Sequence, residues 1–91
     1  MGCMVFIPGE PVREETAVNR ALIQRWLGGS RVTCETLGNG DVLCTPKGGH
    51  DGRYNSVGSL LSRRDLYGPA VLLGARAADA ALLGDGWVGA R

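Results

Sequence analysis

Three cysteines and one histidine are the residues of this sequence best suited to chemistry. Cys3, Cys34, Cys44 and His50 would supply three thiolates and one imidazole, which is a complete ligand set for a tetrahedral structural zinc ion. The spacing contains no Cys-x-x-Cys pair, however, and the cysteines fall in segments predicted as strands, where a free cysteine behaves as a small hydrophobic residue. The sequence therefore favours buried thiols over a zinc site, and we expect neither a metal nor another cofactor.

A catalytic arrangement would use Cys44 as nucleophile, His50 as base and Asp51 as the residue that orients the base. His50 lies in a glycine-rich loop, and two adjacent side chains need not point to the same side of the chain. A solvated loop histidine is the simpler interpretation. We therefore predict that the protein is not an enzyme.

The loop that contains His50 also has the composition of an anion-binding loop. Lys47 is followed by two glycines, and Arg53 comes shortly after them, so successive backbone amides could surround an anion. The Gly-Lys-Ser/Thr ending of a nucleotide-binding P-loop is missing. The pattern therefore favours a plain exit from a hairpin.

Binding to nucleic acid would have to use arginines, because nine of the ten basic residues are arginine. The net charge is only +1, and one Phe, two Trp and two Tyr leave few aromatic rings on which bases could stack. We keep nucleic-acid binding as the second hypothesis. The arginines that it would use are Arg31, Arg53, Arg63, Arg64 and Arg76.

Binding to another protein needs the least special chemistry, because a hairpin edge or an exposed tail can supply the contact. A helix over 77–83 together with Trp87 could also form the seam of a homodimer, so we expect a monomer or a homodimer. The residues that we select as partner-binding candidates are Arg53, Arg63, Arg64 and Trp87.

The elements that must position these residues are organised around the apolar segment 66–74. A Gly68-Pro69 step opens this segment and Gly74 closes it, which is typical of an inner strand with the proline at its entrance. A strand is predicted over 3–7. A long amphipathic helix is predicted from between 11 and 17 to 27, and Gly28-Gly29 would end it in left-handed conformation.

A β-hairpin is predicted over 31–37 and 42–45, with Asn39-Gly40 as its turn. A two-residue loop would place Cys34 and Cys44 on opposite faces of the sheet, whereas a three-residue loop would set them directly opposite each other. A second helix is predicted over 56–64, capped by Ser56. The face of this helix that we expect to be apolar carries Val57, Leu60 and Leu61. A last helix is predicted over 75–83.

Size and composition agree with one small folded domain. The chain has 91 residues, of which 44% are hydrophobic and 21% charged, and a chain of this length has room for one core. The predicted order is β-α-β-β-α-β-α, which indicates an α+β domain with a mixed or antiparallel sheet and one long helix on a face. We expect residues 1–76 to form the core domain and 77–91 to form a helix and tail.

The first residues of the chain indicate in which cellular compartment the protein is expected. The first apolar stretch has no basic residues before it and ends at Pro8, so it is too short for a signal peptide or a membrane span. An odd number of cysteines without an export signal indicates a reducing compartment. We therefore expect a cytoplasmic protein that does not bind membranes.

Several segments together resemble a protein family. They are 7–10 (Ile-Pro-Gly-Glu), the helix end 26–29 (Trp-Leu-Gly-Gly), the hairpin with its polar turn, Tyr54-Asn55, and 67–74 (Tyr-Gly-Pro-Ala-Val-Leu-Leu-Gly). The series resembles small bacteriophage and mobile-element proteins of unknown function, particularly of actinobacterial hosts, and covers the chain up to about Arg76. The resemblance implies an accessory phage-type protein that acts in the host cytoplasm. Our hypothesis for its role is that it binds and modulates a host macromolecule. The resemblance assigns no catalytic or binding residue.

Overall fold

The computed structural model describes residues 2–29, 31–47 and 52–77. Within these ranges the chain forms one five-stranded antiparallel sheet with helices packed on it, so the predicted α+β class is confirmed. Residues 75–77 are also helical. The strands and the two complete helices are β1 (Cys3–Phe6), β2 (Arg13–Glu15), α1 (Arg20–Trp26), β3 (Val32–Thr36), β4 (Val42–Pro46), α2 (Ser56–Ser62) and β5 (Ala70–Leu73).

The sheet has the strand order β2-β1-β5-β4-β3, and every neighbouring pair is antiparallel. β5 is therefore the central strand, as the apolar segment 66–74 predicted. Val71 and Leu73 are fully buried. Pro69 directly precedes β5, so its missing N–H leaves no gap in the ladder.

β2 was not predicted, and it shows that the predicted long helix was wrong. Its residues Arg13–Glu15 pair with β1, although they lie where the helix was expected to begin. α1 begins only at Arg20, after the N-cap residue Asn19, whose Oδ1 accepts a hydrogen bond from the backbone N–H of Leu22 at 2.9 Å. α1 therefore has seven residues. Pairing with β2 covers the edge of β1 that would otherwise leave its backbone groups unpaired.

The end of α1 agrees with the sequence. Gly28 and Gly29 have φ angles of 88° and 81°, a conformation that favours glycine. Their N–H groups donate to the carbonyls of Arg25 and Gln24, and these bonds satisfy carbonyls at the end of the helix.

Each face of the sheet carries its own apolar cluster. On one face α1 contributes Ile23 and Leu27, both fully buried, to the larger cluster. On the other face Phe6, Leu43 and Ala70 form a smaller cluster. The partly buried leucines packed against this second cluster are Leu37, Leu61, Leu66 and Leu72. Ala77, at the start of the predicted tail, is buried in the larger cluster, while 78–91 lie outside the described residues.

Of the two loop lengths that the sequence allowed, the β3–β4 hairpin has the longer one. Cys34 lies directly opposite Cys44. Leu37 and Asp41 close the loop through a hydrogen bond from the Leu37 N–H to the Asp41 carbonyl at 2.7 Å, which leaves 38–40 as a three-residue loop. Gly40 has a φ of 93°, the left-handed position that such loops require.

Candidate functional site

Asn55 holds α2 against the sheet. Its side-chain amide donates to the carbonyls of Phe6 at 3.1 Å and Gly68 at 2.9 Å, and its Oδ1 accepts from the Gly58 N–H at 2.8 Å. Asn55 is thus the N-cap of α2, the role that the sequence prediction gave to Ser56. Because the residue is almost completely buried, these three bonds satisfy its side chain without water.

The buried face of α2 consists of small residues. Gly58 and Ser59 are its buried residues, and a Cβ added at Gly58 would lie 3.2 Å from the Asn55 side chain and 3.3 Å from Leu66 Cδ1. The Ser59 hydroxyl accepts from the Leu66 N–H at 2.7 Å. This close approach turns the helix so that Leu60 is 80% exposed. The prediction that Val57 and Leu60 lie on the apolar packing face was therefore wrong.

The segments beside α2 form a short antiparallel ribbon. The Gly68 N–H donates to the Arg53 carbonyl at 2.8 Å, and the Asn55 N–H donates to the Leu66 carbonyl at 2.9 Å. Tyr54 and Tyr67 lie opposite each other between these bonds, in the type of pair that brings side chains closest together. Their rings meet edge to face with centroids 5.5 Å apart, and both remain about half exposed.

α2 and the ribbon together expose a mixed apolar and aromatic surface. We call the exposed side chains of Tyr54, Val57, Leu60, Arg63 and Tyr67 the α2 surface. Isolated exposed apolar residues are ordinary on proteins, but a group of them rimmed by polar residues marks an interaction site. No signal in the sequence separated these residues from core residues except the small pair Gly58-Ser59.

An open cleft of about 390 Å³ lies at one end of the α2 surface. Its lining residues are Tyr54, Ser56, Ser59, Leu60, Arg63, Arg64 and Asp65. A smaller cleft of about 100 Å³ lies on the other side of Tyr54, between this residue and the turn that follows β1. Tyr54 therefore separates two depressions that an apolar side chain of a partner could enter.

The structure brings two of the predicted partner-binding residues together. Arg63 and Arg64 line the larger cleft. Arg64 forms an ion pair with Glu35 of β3, whereas none of the carboxylates in the described ranges pairs with Arg63. Arg63 ends α2 with a φ of 60° and a ψ of 32°, a left-handed conformation that is costly for a residue with a Cβ.

The other two predicted residues lie elsewhere. The Arg53 guanidinium packs on the backbone of Gly9, where an added Cβ would overlap it, so this arginine lies beside the smaller cleft rather than the larger one. Trp87 lies outside the described residues. The same holds for His50 and Asp51, so the structure does not describe the loop that the zinc, catalytic and anion-binding hypotheses require.

The three cysteines all point to the α1 face of the sheet, where they are buried. The sulfur atoms of Cys34 and Cys44 are 2.7 Å apart. The hydrogen bond between them lowers the pKa of the Cys34 thiol and, together with burial, raises that of Cys44. Burial and the Glu15 carboxylate raise the pKa of Cys3 to about 11. Within the described ranges, no group of three His, Cys, Asp or Glu side chains could hold a metal.

Comparisons with protein-family models, with curated proteins and with solved structures gave no match to this chain. The function is therefore inferred from the geometry of the α2 surface.

Proposed function

We propose that this protein is a small accessory protein of phage type that binds a host protein through the α2 surface. The observation that carries the proposal is Leu60, a leucine that is 80% exposed and lines the larger cleft together with Tyr54 and Arg63. Tyrosine and arginine are enriched in the residues that dominate binding energy, and an apolar anchor in a cleft is the usual centre of such a site. The resemblance to phage proteins supports a partner in the host cytoplasm.

The charges around the larger cleft favour a protein over a nucleic acid. Glu35 compensates the charge of Arg64, and Asp65 lines the same cleft as Arg63. The cleft therefore lacks the excess of positive charge that phosphate binding needs. A peptide segment with an apolar side chain for the cleft and a carboxylate for Arg63 fits this surface better.

Affinity capture from lysate of an actinobacterial host, followed by mass spectrometry, tests the proposal when three forms of the protein are compared. Leu60→Asp places a charge on the α2 surface, in the lining of the larger cleft. Ala21→Asp makes the same kind of change at an exposed position of α1, which packs on the opposite face of the sheet. We expect a host protein that the wild type and Ala21→Asp retain and that Leu60→Asp loses.

The alternatives give different results in the same series. Capture that is equal for all three forms would exclude the α2 surface as the binding site. Binding of a single-stranded oligonucleotide that weakens steeply with salt and depends on Arg63 would instead support the nucleic-acid hypothesis. A homodimer in size-exclusion chromatography that Leu60→Asp dissociates would identify the partner as a second copy of the chain.

The described part of the chain contains no helix long and apolar enough to cross a membrane.

A further inference from the structure

The Cys34–Cys44 pair has a geometry that the proposed binding function does not use. The two residues face each other across the β3–β4 ladder. The Lys47 N–H donates to the Arg31 carbonyl and the Leu37 N–H donates to the Asp41 carbonyl, so 31–47 and 37–41 are hydrogen-bonded pairs, and such pairs recur at every second position. The pair 34–44 therefore falls between bonded pairs, where opposed Cα atoms are about 4.5 Å apart, a separation that lies within the range of natural disulfides.

The sulfur atoms need only a small movement to form a bond. They are 2.7 Å apart, and a disulfide bond is about 2.0 Å long. Cys3 occupies a different position. It lies on β1, opposite Leu73 of β5, and β5 separates β1 from β4, the strand of Cys44.

We propose that Cys34 and Cys44 are an oxidation site at which hydrogen peroxide forms a cross-strand disulfide, while Cys3 stays reduced. The two cysteines differ in access: Cys34 retains 9% exposure on β3, an outer strand of the sheet, whereas Cys44 is fully buried on β4. Peroxide is about as small as water, so it can reach an edge-strand thiol that a bulky disulfide reagent reaches only when β3 opens.

The reaction has two steps. The Cys34 thiolate attacks one oxygen of hydrogen peroxide, the O–O bond breaks, and the leaving hydroxide takes up the proton that Cys34 lost, so water and a Cys34 sulfenic acid form. The Cys44 sulfur then attacks the Cys34 sulfur. The S–S bond forms as the S–O bond breaks, and the second hydroxide takes the proton of the Cys44 thiol. Two thiols lose two electrons, and one peroxide becomes two waters.

The pKa directions agree with this assignment of roles. The hydrogen bond from Cys44 lowers the pKa of Cys34, which favours the thiolate that attacks peroxide. The raised pKa of Cys3 keeps that thiol protonated and unreactive at neutral pH. A small thiol such as dithiothreitol should reverse the disulfide, because exchange restores both thiols.

Thiol counting by mass spectrometry tests the proposal. The reduced full-length protein is treated with hydrogen peroxide, unfolded and alkylated, and its intact mass gives the number of remaining thiols. We expect the wild type to fall from three alkylated cysteines to one and Cys3→Ser to fall from two to none. Peptide mapping should find 34 linked to 44. Oxidised glutathione, the larger oxidant, should react at least tenfold more slowly.

Thermal unfolding of the wild type gives a readout that does not depend on any variant folding. The disulfide closes a loop of about ten residues, so the peroxide-treated protein should melt about 10 °C above the reduced form and return to the lower midpoint with dithiothreitol. Three alkylated cysteines after treatment, a sulfinic acid without a cross-link, or a disulfide that includes Cys3 or a second chain would each overturn the proposal.

Discussion

The side-chain amide of Asn55 donates a hydrogen bond to the backbone carbonyl of Gly68, over a distance of 2.9 Å, in the buried space between α2 and the sheet. The same amide also binds the carbonyl of Phe6 at the end of β1. One side chain thus connects the first strand, the second helix and the segment that enters the central strand. The position of Tyr54, its neighbour in sequence, depends on this connection.

Replacing Asn55 should therefore destabilise the whole domain. Asn55→Ala removes the helix cap and leaves two buried carbonyls without their donor, and we expect the free energy of unfolding in urea to fall by about 3–4 kcal/mol. Asn55→Asp keeps the cap acceptor but turns a carboxylate oxygen towards those carbonyls. Its free energy of unfolding should therefore fall nearly as much at neutral pH and recover partly in acid.

Asn39→Ala is the matched control for Asn55. The Asn39 side chain accepts from the Asp41 N–H at 3.0 Å in an exposed turn, so its removal should cost about 1 kcal/mol or less. An equal loss of unfolding free energy in Asn55→Ala and Asn39→Ala would show that the buried hydrogen bonds of Asn55 contribute little to stability.

Arg63→Gly should separate folding from binding. Glycine adopts the left-handed conformation of this position without a steric cost, so the variant should be as stable as the wild type or more stable by up to about 1 kcal/mol. The guanidinium is lost, so we expect weaker partner binding. Arg63→Ala removes the same charge but keeps the steric cost. An Arg63→Gly protein less stable than Arg63→Ala in urea would contradict the interpretation of this cap.

Two aspartate substitutions should distinguish core from surface. Val71 is fully buried at the centre of the sheet, and Val71→Asp should prevent folding, because a buried unpaired charge costs several kcal/mol against a total of about 5–10. Leu60→Asp should change the free energy of unfolding by less than about 1 kcal/mol. Circular dichroism and urea titration measure both. A folded Val71→Asp protein would show that β5 is not central.

The raised pKa of Cys3 predicts a loss of stability in alkali. The folded protein holds this proton until about pH 11, whereas the thiol of the unfolded chain ionises near 9.0. The unfolded state therefore binds fewer protons between these values, and the stability that is fully present below pH 9 falls as the pH rises towards 11, by about 2 kcal/mol.

Cys3→Ala provides the comparison for this effect, because the variant keeps every other group that titrates in alkali. The unfolding free energy of the wild type minus that of the variant should fall as the pH rises from 9 to 11. A difference that stays constant over this interval would mean that the Cys3 thiol ionises equally easily in both states.

The main features of the fold could be predicted from local sequence. The segment at Pro69 and Val71 predicted the central strand, and Gly28-Gly29 predicted the end of α1, because proline and glycine restrict the backbone independently of their neighbours in space. The register of the hairpin could not be decided, because Asn39-Gly40 fits either loop length. Only Cys34 lying opposite Cys44 settles it.

The errors arose where strand pairing or helix packing overrides the preference of a single segment. Glu14 and Glu15 suit the first turn of a helix, yet they lie in β2 because β1 is available as a partner. Leu60 fits an apolar helix face, yet it is exposed because the small residue Gly58 allows closer packing on another face. The α2 surface depends on which face of α2 packs on the sheet, so Arg63 is the one of its five residues that the sequence analysis selected.

The central position of β5 has a consequence for how the protein is made. β1 with β2, and β3 with β4, are local pairs, whereas β5 bonds to both β1 and β4 and is the last of these strands to leave the ribosome. We expect complete folding only after Leu73 has been synthesised, with this long-range pairing as the slow step. Until then the β1–β2 pair and the β3–β4 pair each expose an unpaired strand edge. Where many chains are synthesised close together, two of them can exchange β5, so domain-swapped dimers are the expected by-product.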